Sequence, residues 1–67
     1  MANIVLYELN CPKCGVLKQK LEAKGIKYTT NSNTDDMRAL GIHIVPMLQI
    51  DGKLMNFPDA VKWVNEQ

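Results

Sequence analysis

The 67-residue sequence predicts an α/β domain, a four-stranded mixed sheet with three helices in the order strand, helix, strand, helix, strand, strand, helix. Three observations carry this. Ile4-Val5-Leu6-Tyr7 is an unbroken apolar run, which suits a central strand covered on both faces better than one with a wet side. A helical pattern then separates it from the short alternating run Ile26, Tyr28, Thr30, so the two strands are expected to be parallel through a right-handed crossover. Further on, Asp51-Gly52 between two apolar segments is a strong hairpin signal.

Each element can be justified in turn. The first strand is expected within Asn3 to Leu9. Cys11 stands before Pro12, and proline is favoured at the first helical position because its missing N–H would be unpaired there anyway. Cys11 is therefore the expected N-cap of a helix from about Pro12 to Lys24. Cys14, Leu17 and Leu21 share its buried face, Lys18, Lys20 and Lys24 lie largely off it, and Gly25 supplies a left-handed stop. Ile26 to Thr30 makes the second strand. Asn31-Ser32-Asn33 is a polar turn able to cap a short helix, with Asp35 and Asp36 in its first turn, Met37 and Leu40 facing inward and Gly41 ending it. Met47 to Ile50 and Lys53 to Met55 form the hairpin. Pro58 opens the last helix, on which Phe57, Val61 and Val64 repeat at helical spacing and mark the face that meets the sheet.

Length and composition limit what such a chain can do. At 46% apolar and 22% charged residues it falls in the globular range, and residues 1–67 leave room for one domain. A domain this small buries only about 60% of its unfolded surface, so an enclosed cofactor cavity would remove core it needs, and chemistry is expected at the surface without a cofactor. The formal net charge of +1 comes with no basic stripe and no acidic tail, which argues against nucleic acid or an anionic membrane as partner. With no basic n-region before Ile4 and no apolar run of membrane-spanning length, the expectation is a soluble, cytoplasmic protein acting as a monomer.

The chemistry concentrates in the cysteines, Cys11 and Cys14. A loop this short yields roughly 2 kcal/mol in the chain-entropy model, before ring strain, so reactivity explains the pair better than stability does. A sulfur at a helix N-terminus is favoured as the thiolate, which is the form that attacks disulfides. The competing reading is half of a metal site. Two thiolates and a single His43 do not complete a tetrahedral zinc shell, so that reading needs zinc or an iron–sulfur cluster shared between two copies.

Cys11-Pro12-Lys13-Cys14 at a strand-to-helix junction, with Ile44-Val45-Pro46 ahead of a hairpin strand, resembles the glutaredoxin-type redoxins of minimal thioredoxin fold. The likeness runs over nearly the whole chain. It implies a strand order of second, first, third, fourth, a cis peptide before Pro46, and a thiol-disulfide oxidoreductase in which Cys11 attacks and Cys14 resolves. Pro12, Lys13, Val45 and Pro46 would then meet the substrate, a protein disulfide, with an upstream reductase or glutathione as electron donor. Two departures matter. Glutathione-using members carry Lys or Arg three positions before the first cysteine, where this chain has Glu8. They also carry Gly-Gly before the last helix, where it has Asn56 and Phe57, and of the acidic pair that follows only Asp59 remains. Phe57-Pro58-Asp59 resembles, one residue short and without its preceding tryptophan, a turn of the redoxins that donate electrons to ribonucleotide reductase.

Plainer readings stand beside these. Exposed lysines such as Lys13 seldom tune a neighbour measurably. His43 reads as a loop residue near the site, and Met37, Met47, Met55 and Trp63 as core or core edge. Glu8 is either a solvated side chain or a device that repels anionic ligands.

Overall fold

A computed structural model describes residues 3–67. The chain forms β1 (Ile4–Tyr7), α1 (Pro12–Ala23), β2 (Thr29–Asn31), α2 (Thr34–Ala39), β3 (Met47–Ile50), β4 (Lys53–Met55) and α3 (Phe57–Asn65). The sheet order is β2-β1-β3-β4, the one the resemblance implies. β1 runs parallel to β2 and antiparallel to β3, with Leu6 opposite Leu48 and Tyr7 opposite Met47, and β3 pairs antiparallel with β4.

The apolar run of β1 is central and covered on both faces, as its sequence predicts. Its side chains alternate between two clusters. Ile4 and Leu6 pack with Leu17 and Leu21 of α1, Leu48 of β3, and Ala60 and Val64 of α3. Tyr7 packs on the opposite face with Met37 of α2 and Ile42. Met37 is buried, and Met47, Met55 and Trp63 sit at the edges of the two clusters.

Both glycine stops act through the same device. The N–H of Gly25 donates to Glu22 O and that of Ile26 to Leu21 O, the paired bonds of a Schellman motif, with Gly25 at φ 67°. At α2, Gly41 N–H donates to Arg38 O and Ile42 N–H to Met37 O, with Gly41 at φ 75°.

These motifs correct two expectations. The residue just past the glycine folds back on the helix, so Ile26 is tied to α1 and packs with Tyr28 against the first cluster; pairing in β2 begins only at Thr29. Likewise Ile42 takes the inward position against Met37, while Leu40, expected inside, is 43% exposed as the C-cap. A third, smaller correction is that α3 begins at Phe57, because Asn56 is the N-cap and its Oδ1 accepts from Asp59 N–H at 3.0 Å.

The strand directions have one consequence for function. β1, β2 and β4 end, and β3 begins, at the same end of the sheet. Helices α1, α2 and α3, each following one of those three strands, therefore start there too.

Candidate active site

Cys11 lies at that end, as the N-cap of α1 with an extended backbone (φ −88°, ψ 162°). Its Sγ accepts a hydrogen bond from the backbone N–H of Cys14 at 3.0 Å, and its carbonyl accepts from Gly15 N–H at 3.1 Å. An N-cap whose acceptor is sulfur is a position where negative charge on that sulfur meets unpaired helix donors. Cys11 and Cys14 are joined by a disulfide across 5.0 Å between Cα atoms. The two sulfurs differ in access: Cys11 is half-buried, whereas Cys14 is 1% exposed on the inner face of α1 beside Leu17.

The loop that delivers Cys11 is held by Glu8. The Glu8 N–H donates to Asn31 O of β2 at 3.2 Å, prolonging the β1–β2 pairing by one step. Glu8 Oε2 accepts from Asn10 N–H at 2.7 Å, and Asn10 takes a left-handed turn at φ 56°, a conformation asparagine tolerates better than most residues. Glu8 Oε1 meets Lys18 Nζ at 3.0 Å. Lys18 is one helical turn beyond Cys14, so the pair braces the segment ahead of Cys11 against the helix that carries Cys14. The Asn10 N–H first, then Lys18, holds the Glu8 carboxyl below the usual carboxylate range, against a smaller opposing effect of desolvation.

This overturns both expectations for Glu8. It is not solvated, being 5% exposed, and its charge is compensated by a cation in contact rather than displayed to ligands. Sequence reasoning missed the pair because it treated Lys18 as part of the helix's wet face. The available signal was that Lys18 stands four residues after Cys14 and so shares its side of α1.

Among the other site candidates, Pro12 is exposed at the helix start. Lys13 is exposed too, with its ammonium 5.6 Å from the centroid of the Phe57 ring, which links the N-termini of α1 and α3 by a cation–π contact. Val45 is half-buried against the Tyr7 cluster, and the Val45–Pro46 peptide is cis, as the resemblance implies. The Pro46 ring is fully buried, so it offers no side-chain surface of its own. Since Tyr7 pairs with Met47, the segment after β1 and the Val45-Pro46 segment before β3 leave the sheet side by side. His43 is exposed in that second segment.

At the positions where the resemblance implies Gly-Gly, Asn56 caps α3 with its own side chain and Phe57 carries Lys13 over its ring. Among the described residues no group of three or more His, Cys, Asp and Glu side chains is placed to hold a metal ion, and no helix is long and apolar enough to cross a membrane. No protein-family model, no curated protein and no solved structure matches the chain.

Proposed function

We propose that this protein is a thiol-disulfide oxidoreductase of the glutaredoxin-like, minimal thioredoxin-fold type, reducing protein disulfides through Cys11 and Cys14. The observation that carries the reading is the asymmetry of the pair: a reachable Cys11 whose sulfur accepts the Cys14 N–H at a helix N-terminus, and a Cys14 buried directly behind it. The sheet order and the position of the pair at the β1–α1 junction support it as well.

In the reduced protein, Cys11 thiolate attacks one sulfur of a partner disulfide. A mixed disulfide forms, and the partner's other sulfur leaves as a thiolate that takes up a proton. Cys14, deprotonated, then attacks Cys11 Sγ, the partner's first sulfur leaves as a thiol, and the Cys11–Cys14 bridge closes. The sum is two electrons and two protons passed to the partner. An external dithiol or a pair of thiols returns the bridge to the reduced state. The Glu8 brace keeps the segment before Cys11 fixed to α1 while that bridge is open.

The test is turnover on insulin disulfides with each of two donor systems, a flavoprotein thioredoxin reductase and glutathione with its reductase. The proposal expects turnover that Cys11→Ser abolishes, faster with the flavoprotein. Absence of turnover with both donors refutes the oxidoreductase reading, and a faster glutathione reaction replaces the preferred donor.

A further inference from the structure

Glu8 joins three parts of the chain. Its backbone N–H donates to Asn31 O in the sheet at 3.2 Å, while its carboxylate closes the turn ahead of Cys11 through Asn10 N–H at 2.7 Å and reaches α1 through Lys18 Nζ at 3.0 Å. Among the described residues this is the one ion pair, and Glu8 the one buried charged side chain. A buried charge seldom adds net stability over an apolar replacement, so its value here is sought in position. The place is telling. Cys11 follows Glu8 by three residues and Cys14 precedes Lys18 by one helical turn, so the disulfide and the ion pair tie the same entering segment to the same helix. Contact between a residue ahead of an N-cap and one inside the helix fixes the angle at which the chain enters, a task usually left to apolar pairs. Here an ion pair performs it. Cys14, 1% exposed within the fold, is not free to move out toward a partner, so the freedom of the opened bridge lies with Cys11 and the segment that Glu8 holds.

We infer that Glu8 and Lys18 are positioning residues for the second step of the exchange: they hold Cys11 within reach of Cys14 while the bridge is open, so that Cys14 resolves the mixed disulfide ahead of any outside thiol. The inference rests on the oxidoreductase reading and names what sets the balance between two ways out of the mixed disulfide. In the inner route Cys14 thiolate attacks Cys11 Sγ, the bond from Cys11 to the partner sulfur breaks, and that sulfur leaves with the electron pair and takes up a proton. In the outer route a free thiolate attacks the partner sulfur and Cys11 thiolate leaves instead. The inner route competes through the effective concentration of one sulfur at the other, which falls when Cys11 is free to swing away. Two ties across one junction are coupled reciprocally. Whatever factor the ion pair adds to closure of the bridge, closure adds to the ion pair.

The experiment uses the full chain, with glutathione and its disulfide as the probe. Two equilibria are measured by acid quenching and intact-mass spectrometry. In the first, the dithiol and one glutathione disulfide give the Cys11–Cys14 bridge and two glutathione molecules. In the second, a Cys14→Ser background stops the exchange at the Cys11–glutathione adduct and one glutathione. Dividing the first constant by the second gives the closure constant, from which the reactivity of Cys11 itself cancels. Lys18→Met keeps the aliphatic stem and removes the charge; it is expected to lower closure about threefold, within the range of a partly exposed ion pair, and to leave the single exchange unchanged. Glu8→Gln should act alike, and the double variant should lose no more than either alone, because the tie is lost only once. Lys18→Arg, which keeps the cation, should retain closure, and Lys20→Met, the same charge change on another side of α1, should leave it intact. Should Glu8→Gln fail to fold, the three lysine variants decide alone. Closure unaffected by Lys18→Met, closure lost equally in Lys18→Arg or Lys20→Met, losses that add in the double variant, or an equal shift of both equilibria each overturn the inference. Cys11 that forms no adduct with glutathione disulfide, or a wild-type adduct that Cys14 never resolves, would instead overturn the oxidoreductase reading beneath it.

Discussion

Lys18 Nζ sits 3.0 Å from Glu8 Oε1, and through this contact a carboxylate that is almost wholly shielded from solvent ties the loop before Cys11 to the helix carrying Cys14. The carboxylate is shielded by a thin layer only, because the Lys18 side chain is itself 32% exposed. Water can therefore replace part of what Lys18 supplies, whereas the Asn10 N–H is bonded to the carboxylate within the turn itself.

Glu8→Gln should consequently lower stability at pH 7 by about 1–2 kcal/mol, less than the roughly 1.5–3 kcal/mol of a hydrogen bond to a charged group because the glutamine oxygen can still accept from Asn10 N–H. For a domain of this size that is a fall of roughly 4–16 °C in Tm. The sign of the pH dependence follows from the direction of the shift. The carboxyl is held below its ordinary 4.5 in the folded state, so its contribution is complete above that pH and is lost as pH falls through the lower folded value. Thermal unfolding of the oxidised protein followed by circular dichroism should show wild type and Glu8→Gln well apart at neutral pH and converging below about pH 4.5. A gap that stays constant into acid would mean the variant acts by packing alone.

Access sets the second expectation. In the reduced, folded protein iodoacetamide should modify Cys11 and leave Cys14 untouched, since Cys14 is 1% exposed and Cys11 only half-buried. The pH midpoint of Cys11 alkylation should lie below the free-cysteine value of about 8.5, because the helix N–H donors favour the thiolate. Peptide mass mapping distinguishes the sites, and equal labelling of both would contradict the asymmetry on which the mechanism depends.

The cation–π contact of Lys13 with Phe57 gives a third. A double-mutant cycle with Lys13→Met and Phe57→Leu should return a coupling of about 0.5–1 kcal/mol, as expected at an exposed site. Zero coupling would show that the two helix starts are held together by α1 and α3 packing alone.

How much of this was legible in the sequence depends on the range of the interaction. The hairpin was read to the residue, because Asp51 and Gly52 both take positive φ, 51° and 87°, and few dipeptides do so readily. The Cys11 cap and the burial of Cys14, Leu17 and Leu21 were equally local, set by Pro12 and by helical spacing. Leu40 was misread because periodicity ends where the Schellman turn begins, and there Ile42 folds back instead. Glu8 was misread for a different reason. Its partners, Asn10 N–H and Lys18 Nζ, become neighbours only once the strand-to-helix turn is closed; helical spacing puts Lys18 on the Cys14 side of α1 but does not say which residue it meets there.

The Glu8 finding also changes why glutathione should be a poor partner. A free carboxylate at that position would repel the tripeptide, and Glu8→Lys would then be the informative change. With Glu8 compensated by Lys18, long-range repulsion is small, and Glu8→Lys instead sets two ammonium groups against each other in a shielded site and is expected to unfold the domain. On the proposed reading the obstacle lies instead at the start of α3, where Asn56 Oδ1 takes the Asp59 N–H and the Phe57 ring lies beneath Lys13. Glutathionylation of the Cys14→Ser variant by glutathione disulfide should therefore be little altered by Glu8→Gln once the loss of stability is allowed for. It should rise severalfold with Phe57→Gly, which removes the ring and restores a close approach to the backbone. The rates can be followed by intact-mass spectrometry at neutral pH on variants shown to be folded. If Glu8→Gln accelerates the reaction and Phe57→Gly does not, charge rather than shape excludes glutathione, and the compensation of Glu8 by Lys18 is weaker than their separation indicates.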